Sequence, residues 1–221
     1  TSSLVHDDLP CMDDDMMRRG KASTWAEYGE DIGVLTGDAL MMFAFETAAN
    51  AFETSIAPDE LSRIGRAMGI LAHKTGVYGM IGGQTVDVEL AGGPIPGDKL
   101  EFIYRLKTGA LIEASMLIGA VLGGAAEEDC KIVESLAAKI GMAFQIQDDI
   151  LDVTSSLEVL GKPVGSDEKN HKTTYVTIRG LEQAQKDVEE ISQRALDGLA
   201  SLKEQNSYLN ELVVYLVHRK K

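Results

Sequence analysis

The sequence predicts an all-α protein, and its hydrophobic patterning and its sparse punctuation both indicate that fold class. Apolar residues recur at helical spacing in stretches of about 12 to 25 residues, a usual length for helices. Only five prolines interrupt the chain. The one segment with strand-like alternation, QTVDVEL at 84–90, has no second strand to pair with, so we expect it to be helical too. A single helical domain over residues 1–221 is the simplest prediction.

The predicted helices follow one another along the chain, and some have recognisable starts. The second begins near Pro58 and Asp59, residues that favour the first turn of a helix. The helix at 98 opens after the loop GGPIPGDK, and each later segment carries an apolar stripe. In chain order, we expect helices over 30–51, 57–76, 84–90, 98–123, 127–154, 180–203 and 207–219.

Composition and charge exclude several classes of function. The 221 residues are 44% hydrophobic and 25% charged, which is ordinary for a soluble globular protein. Lys and Arg number 21 against 35 Asp and Glu, a formal net charge of -14, whereas nucleic-acid binding needs a basic surface. Cys11 and Cys130 lie far apart without CxxC spacing, so we expect neither a disulfide framework nor a zinc site.

The same features predict a cytoplasmic protein. We find no signal peptide, no apolar run long enough to span a bilayer and no lipidation motif, so no membrane insertion is expected. The chain begins at Thr1 in the middle of a pattern, which leads us to expect that its N-terminus is incomplete.

One acidic cluster lies near the end of the predicted helix 127–154, in GMAFQIQDDILDVTSS. Asp148 and Asp152 stand one helical turn apart on the same face, with Asp149 beside them, so their charges repel. A solvated acidic face usually has lysines or arginines interspersed, whereas the neighbours here are largely apolar. Carboxylates on a partly buried surface are expected where a divalent cation neutralises them, and Mg²⁺ binds carboxylates together with waters and phosphates.

Another acidic cluster, LVHDDLPCMDDDMMRRG, occupies residues 4–20. Asp7 and Asp13 are separated by about 240° around a regular α-helix, so they would point in different directions. Pro10 cannot donate a hydrogen bond to the carbonyl four residues earlier, and its ring displaces that turn. A bulge at Pro10 is therefore expected to return Asp13 to the face of Asp7 and Asp8.

The two clusters resemble the aspartate-rich motifs of the trans-isoprenyl diphosphate synthases. The first has their DDxxxxD form, and FQIQDDILD is similar to their second motif. The resemblance continues in family order through GEDIGVLTGDAL, GMIGGQTVDVEL, LKTGALI, LGKPVGSDEKNHKTTY and YLVHRKK, and it covers essentially the whole chain. It is greatest to the bacterial farnesyl and the geranylgeranyl diphosphate synthases that share the DDxxxxD form.

The resemblance implies an isoprenoid synthase helical bundle around a central cavity, with the two aspartate motifs across its mouth. It also implies a reaction, in which isopentenyl diphosphate attacks the cation left when an allylic diphosphate ionises. Several Mg²⁺ ions would bridge that diphosphate, so catalysis would be electrostatic and positional. The implied enzyme is a homodimeric farnesyl or geranylgeranyl diphosphate synthase whose allylic substrate is dimethylallyl or geranyl diphosphate.

The resemblance also assigns roles to individual residues. The implied metal ligands are Asp7, Asp8, Asp13, Asp148, Asp149 and Asp152. The residues implied to bind diphosphate or stabilise the cation are Arg18, Arg19, Lys107, Thr108, Gln145, Lys162 and Lys172. Those implied in catalysis itself are Asp7, Asp8, Lys107, Thr108, Gln145 and Asp148.

Two departures from the family pattern affect substrate and product. The family's GKR-type motif, part of the isopentenyl diphosphate site, precedes the first aspartate motif, and no residue before Thr1 supplies it here. The positions four and five residues before the first aspartate, which hold bulky side chains that limit chain length, are Ser3 and Ser2. A pocket deeper by about one helical turn, or about 5 Å, would admit a 20-carbon product unless Met41, Met42 or Phe43 closes it.

Three alternatives make different demands on the sequence. A terpene cyclase typically has an asparagine- and serine-rich second metal motif, and a non-catalytic prenyl synthase subunit should have lost metal-ligating aspartates. A di-iron bundle needs two Glu-x-x-His pairs, and only Glu168 and His171 have that spacing. Both intact aspartate motifs favour the enzyme.

Overall fold

The computed structural model describes residues 1–154 and 173–219, apart from the side chains at 217 and 218. This part of the chain is 77% helical and has almost no strand, which confirms the predicted all-α class. Its strands are β1 (Met17–Arg18) and β2 (Lys21–Ala22), which pair antiparallel in a small hairpin. The chain divides into two compact units, 1–64 and 65–221, so α4 (Pro58–Thr75) crosses the boundary.

The first unit is built on close packing between α1 (Ser2–Asp7) and α3 (Glu30–Thr54), with the short α2 (Thr24–Tyr28) between them in sequence. Two buried glycines of α3 allow this approach. A Cβ at Gly37 would lie 2.1 Å from Nε2 of His6, and one at Gly33 would lie 2.8 Å from Cδ2 of Leu9. His6 also contacts α3 through its Nε2, which lies 3.1 Å from the carbonyl oxygen of Val34.

The bulge predicted at Pro10 is instead the end of the helix. Helix α1 stops at Asp7, because Pro10 has no N–H and its ring disfavours helical backbone at the preceding residue. The chain then turns back, and the N–H of Asp13 donates to the carbonyl of Asp7 over 2.9 Å. Asp13 is therefore brought back to Asp7 by a turn, through a hydrogen bond between their backbones.

Helix α3 departs from the sequence expectation that no segment is long and apolar enough to span a bilayer. Within the described residues, its 25 residues pass that test by length and composition, and 11% of its apolar window is buried, unlike the core helix of a soluble protein. One such helix near the N-terminus is weak support for a membrane span. Its exposed side chains include Leu35, Met42 and Phe43.

The second unit surrounds the long helix α8, whose observed bounds equal the predicted 127–154. Small side chains let α10 (Leu181–Ala200) pack closely on it, because Ala184 and Ala195 are fully buried against α8. The segment 84–90 is helical as predicted, within α5 up to Glu89. The other helices of this unit are α5 (Met80–Glu89), α6 (Gly97–Ile103), α7 (Ala110–Leu122), α8 (Glu127–Thr154), α9 (Tyr175–Arg179), α10 (Leu181–Ala200) and α11 (Ser207–His218).

The predicted helix 98–123 contains a π-helical turn, Tyr104–Gly109, between α6 and α7. Two glycines on flanking helices allow the backbone of this π turn to approach them closely. A Cβ at Gly83 of α5 would lie 2.3 Å from the nitrogen of Lys107, and one at Gly141 of α8 would lie 2.6 Å from Cα of Gly109. Single π turns are often found at functional sites, and this one carries Lys107 and Thr108.

Candidate active site

The second aspartate motif occupies the last two turns of α8, and its three carboxylates have different surroundings. The side chain of Asp148 is 50% exposed, whereas Asp149 and Asp152 are each only 4% exposed. The helix thus directs one carboxylate towards solvent and two towards the protein. Although Asp148 and Asp152 lie one turn apart as predicted, they differ in their access to a ligand.

Asp149 joins α8 to the π turn and to α9. Its Oδ2 accepts a hydrogen bond from the hydroxyl of Tyr104 and another, of 2.8 Å, from the N–H of Tyr175. Its Oδ1 accepts a longer bond of 3.5 Å from Nε2 of Gln145. A buried carboxylate with these donors is well suited to hold the three elements together.

The residues predicted to stabilise a cation lie beside this network. Thr108 Oγ1 donates to Oε1 of Gln145 over 2.8 Å, so a chain of hydrogen bonds runs from Thr108 through Gln145 to Asp149. Lys107 Nζ donates to Oδ2 of Asp87 over 2.7 Å, and both side chains are largely buried. Asp87 was not among the predicted site residues, although it is an acidic residue amid the apolar side chains of TVDVEL.

A second residue that the sequence analysis missed, Arg219, pairs with the motif from beyond α11. Its Nη2 donates to Oδ1 of Asp148 over 2.8 Å. The guanidinium lies 3.6 Å from the ring centroid of Phe144, and only 8% of Arg219 is exposed. The only sequence signal was its place in the terminal stretch YLVHRKK.

The first motif pairs with one of its predicted substrate-binding arginines. Asp8, 3% exposed, accepts from Nε of Arg18 over 2.9 Å, and Nη2 of Arg18 contacts both Asp8 and Asp15. The hydrogen bond to Asp8 raises the pKa of Arg18, so the guanidinium stays charged. Asp13 and Arg19 are exposed, and Arg19 has a left-handed φ of 54° at the tip of the hairpin.

The donor chemistry of these residues fits Mg²⁺ better than a metal held by protein alone. Among the described residues, no group of three or more His, Cys, Asp or Glu side chains is placed to hold an ion. Mg²⁺ is usually bound through one or two carboxylates, with waters and substrate phosphates completing its shell. Half-exposed Asp148 and exposed Asp13 can each offer such a ligand.

The remaining predicted site residues are placed as follows. Ser2 and Ser3 are partly buried in the first turn of α1. Lys162 and Lys172 lie outside the described residues, as do Glu168 and His171 of the di-iron alternative.

Comparison with known proteins supports a family assignment. The polyprenyl synthetase family model matches residues 1–212. The chain is 41% identical over 224 residues to farnesyl diphosphate synthase of Escherichia coli strain K12, covering 99% of this chain and 74% of that protein. It is 44% identical over 202 residues to heterodimeric geranylgeranyl pyrophosphate synthase large subunit 1 of Arabidopsis thaliana, covering 90% of this chain. The chain spans only 54% of the length of that plant relative.

Solved structures show the same likeness. A geranyltransferase from Helicobacter pylori, complexed with magnesium and isoprenyl diphosphate, has a TM-score of 0.83 at 35% identity, covering 98% of this chain and 69% of that one. An FPP/GFPP synthase from Zymomonas mobilis has the same TM-score of 0.83 at 31% identity, covering 98% of this chain and 71% of that one. The family model and these relatives match nearly the whole chain, and the chain belongs to the polyprenyl synthetase family.

Proposed function

We propose that this chain is the catalytic domain of a Mg²⁺-dependent, short-chain trans-prenyltransferase. It condenses isopentenyl diphosphate with dimethylallyl or geranyl diphosphate to give farnesyl diphosphate. The observation that carries the proposal is the hydrogen-bonded series Thr108, Gln145 and Asp149, which ends next to the half-exposed Asp148. This series places the side-chain oxygens of Thr108 and Gln145 near Asp148, the candidate metal ligand, within the second unit.

The proposed reaction needs no protein nucleophile. The C–O bond of the allylic diphosphate breaks, and the diphosphate leaves with the electron pair. The double bond of isopentenyl diphosphate then attacks the allylic cation, a C–C bond forms, and a proton is lost from the adduct. When bound, Mg²⁺ supplies positive charge that stabilises the departing diphosphate.

The residues of this chain position the substrates and balance their charges. The accessible carboxylates of Asp13 and Asp148 offer ligands to the metal. The guanidinium groups of Arg18 and Arg19 suit the oxygens of a diphosphate. The hydroxyl of Thr108 and the amide oxygen of Gln145 provide negative partial charge for the allylic cation. We include Lys162 and Lys172 as diphosphate ligands on the family resemblance alone.

A 20-carbon product is a second candidate, favoured by the small side chains of Ser2 and Ser3. A bulky side chain at either position would shorten the space along α1, and serine does not. Of the alternative chain-length residues on α3, Met42 is 67% exposed and Phe43 is 61% exposed. The match to geranylgeranyl pyrophosphate synthases agrees with this candidate, but farnesyl diphosphate synthase matches at similar identity.

Product analysis tests both candidates. The protein is incubated with Mg²⁺, isopentenyl diphosphate and geranyl diphosphate, and product length is read by chromatography. We expect 15-carbon product, with 20-carbon product increasing at long times. Farnesyl product alone would eliminate the deeper pocket, and no condensation at all would favour the non-catalytic subunit.

We also propose that the protein is a cytoplasmic homodimer. The exposed apolar side chains of α3 support the dimer. The two free cysteines, Cys11 and Cys130, support a reducing compartment.

A further inference from the structure

Arg219 makes a dense set of contacts with the end of α8. Its Nη2 donates to Oδ1 of Asp148 over 2.8 Å and to the carbonyl of Phe144 over 3.3 Å. Its Nη1 donates to the carbonyl of Leu216 over 3.1 Å, and its own carbonyl accepts from Nε2 of Gln147 over 3.4 Å. The guanidinium also lies over the Phe144 ring.

Burial explains why Arg219 needs these partners. A charge that is largely removed from water must be paired and hydrogen-bonded, and Arg219 is only 8% exposed. Asp148 provides the counter-charge, two carbonyls provide acceptors, and the Phe144 ring provides a face for the planar cation.

The environment of Asp148 is different, since half of its side chain is exposed. From residues 1–154 and 173–219, it accepts a hydrogen bond from Arg219 at Oδ1, and Oδ2 accepts none. The pair thus fixes one oxygen of the carboxylate on the protein side and leaves the other for a ligand.

We propose that Arg219 is a positioning residue for the second aspartate motif. It holds Oδ1 of Asp148 so that Oδ2 faces a divalent cation in a fixed orientation. The inference depends on the proposed function, because it takes Asp148 to be a metal ligand. Partners that orient a ligating carboxylate commonly contribute 10- to 100-fold to metal affinity.

Bonds other than the contact with Asp148 also fasten the C-terminal end. The bonds to Gln147, Phe144 and Leu216 already attach this end to α8 and α11. Because Arg219 and the metal are both cations, charge alone would disfavour the metal, and the benefit lies in geometry. A lysine keeps the charge but lacks the planar fork that stacks on Phe144, so we expect it to restore function only in part.

Mn²⁺ binding, measured by electron paramagnetic resonance with inorganic diphosphate present, tests the inference without relying on turnover. In the full chain, we expect Arg219→Gln to weaken Mn²⁺ binding by about 10- to 100-fold, and Arg219→Lys to weaken it less. Arg194→Gln is the matched control, because Arg194 forms an exposed pair with Glu190 and its removal should leave Mn²⁺ affinity unchanged. Thermal unfolding of each variant checks that the fold is kept.

The Asp148→Asn variant separates this inference from the proposed function. It should itself weaken Mn²⁺ binding, and Arg219→Gln should add little to the loss in that background, because the two residues act as a unit. Normal Mn²⁺ binding by Asp148→Asn would overturn the metal site and the inference with it. If Asp148→Asn binds poorly but Arg219→Gln binds normally, or if the two losses add in full, only the inference is overturned.

Discussion

At the scale of single residues, two adjacent aspartates of one motif are placed for different tasks. Asp149 is buried and accepts hydrogen bonds from Tyr104 and Tyr175, whereas the side chain of Asp148 is half exposed. The motif spacing alone could not distinguish them, because both belong to the same DDxxD pattern. The distinction comes from contacts with residues far away in the sequence.

Replacing each aspartate by asparagine should separate stability from activity. In Asp149→Asn, the new amide cannot accept at both positions, so we expect the free energy of unfolding to fall by about 1–3 kcal/mol. In Asp148→Asn, the amide oxygen can still accept from Arg219, but the counter-charge of that buried guanidinium is lost. We therefore expect a smaller fall of about 0.5–1 kcal/mol, together with a loss of kcat/KM of roughly 10²-fold or more. Urea unfolding and steady-state kinetics on both variants check this, and equal stability losses would contradict the assignment.

Lys74 predicts a dependence of stability on alkaline pH. Its Nζ donates to Glu113 and lies 3.2 Å from Oε1 of Glu134, so it links α4, α7 and α8. Burial lowers the pKa of Lys74, but the hydrogen bond to Glu113 and the two negative charges outweigh it and raise the pKa above its ordinary 10.5.

Because the folded-state pKa is raised, this contribution to stability is fully present below pH 10.5 and is lost as pH rises through the folded-state pKa. We therefore expect wild-type stability to fall as the pH rises above 10.5, and Lys74→Met to be less stable at about pH 8 with a shallower fall above pH 10.5. Lys186→Met, which removes an exposed pair with Glu182, serves as the comparison. Parallel pH profiles for wild type and Lys74→Met would refute the prediction.

At the scale of elements, the hydrophobic period predicted the helices well and their interruptions poorly. The bounds of α8 follow from an apolar stripe that continues over 28 residues. The π turn at Tyr104–Gly109 lies inside a predicted helix, because it changes the hydrogen bonding without breaking the apolar pattern. Arg219 and Asp87 were missed because each acts through a partner at a distance in sequence, Asp148 and Lys107.

The close approach of the π turn makes Gly141 intolerant of a larger side chain. A Cβ there would lie 2.6 Å from Cα of Gly109, so Gly141→Ala must displace backbone rather than a flexible side chain. We expect a loss of about 1–3 kcal/mol in unfolding free energy and a lower kcat, because Thr108 shifts away from Gln145.

Gly119 of α7 provides the matched control for this prediction. No atom lies within 4 Å of a Cβ built there, so Gly119→Ala should be stabilising by about 0.5–1 kcal/mol through helix propensity. Thermal and urea unfolding of the two variants make the comparison. If the two substitutions change the free energy of unfolding equally, helix propensity and not the approach of α8 to the π turn determines the effect of replacing glycine.

At the scale of the whole molecule, the exposed apolar side chains of α3 indicate a binding surface. Leu35 and Met42, two turns apart on one face, are 62% and 67% exposed. Apolar surface of this kind marks an interaction site more often than a solvated one, and a second copy of the chain is the occupant that the family resemblance implies.

We therefore expect the protein to sediment as a homodimer, and Leu35→Glu combined with Met42→Glu to sediment as a monomer, because burying two carboxylates without partners is costly. The control is Tyr208→Glu on α11, an exposed apolar residue in the second unit, which should remain a dimer. Sedimentation velocity over a range of concentrations measures both, and circular dichroism checks that the helices persist. If the wild type is a monomer at every concentration, α3 does not bind a second copy of the chain. If solubility depends on detergent, a lipid surface is favoured as the partner of α3.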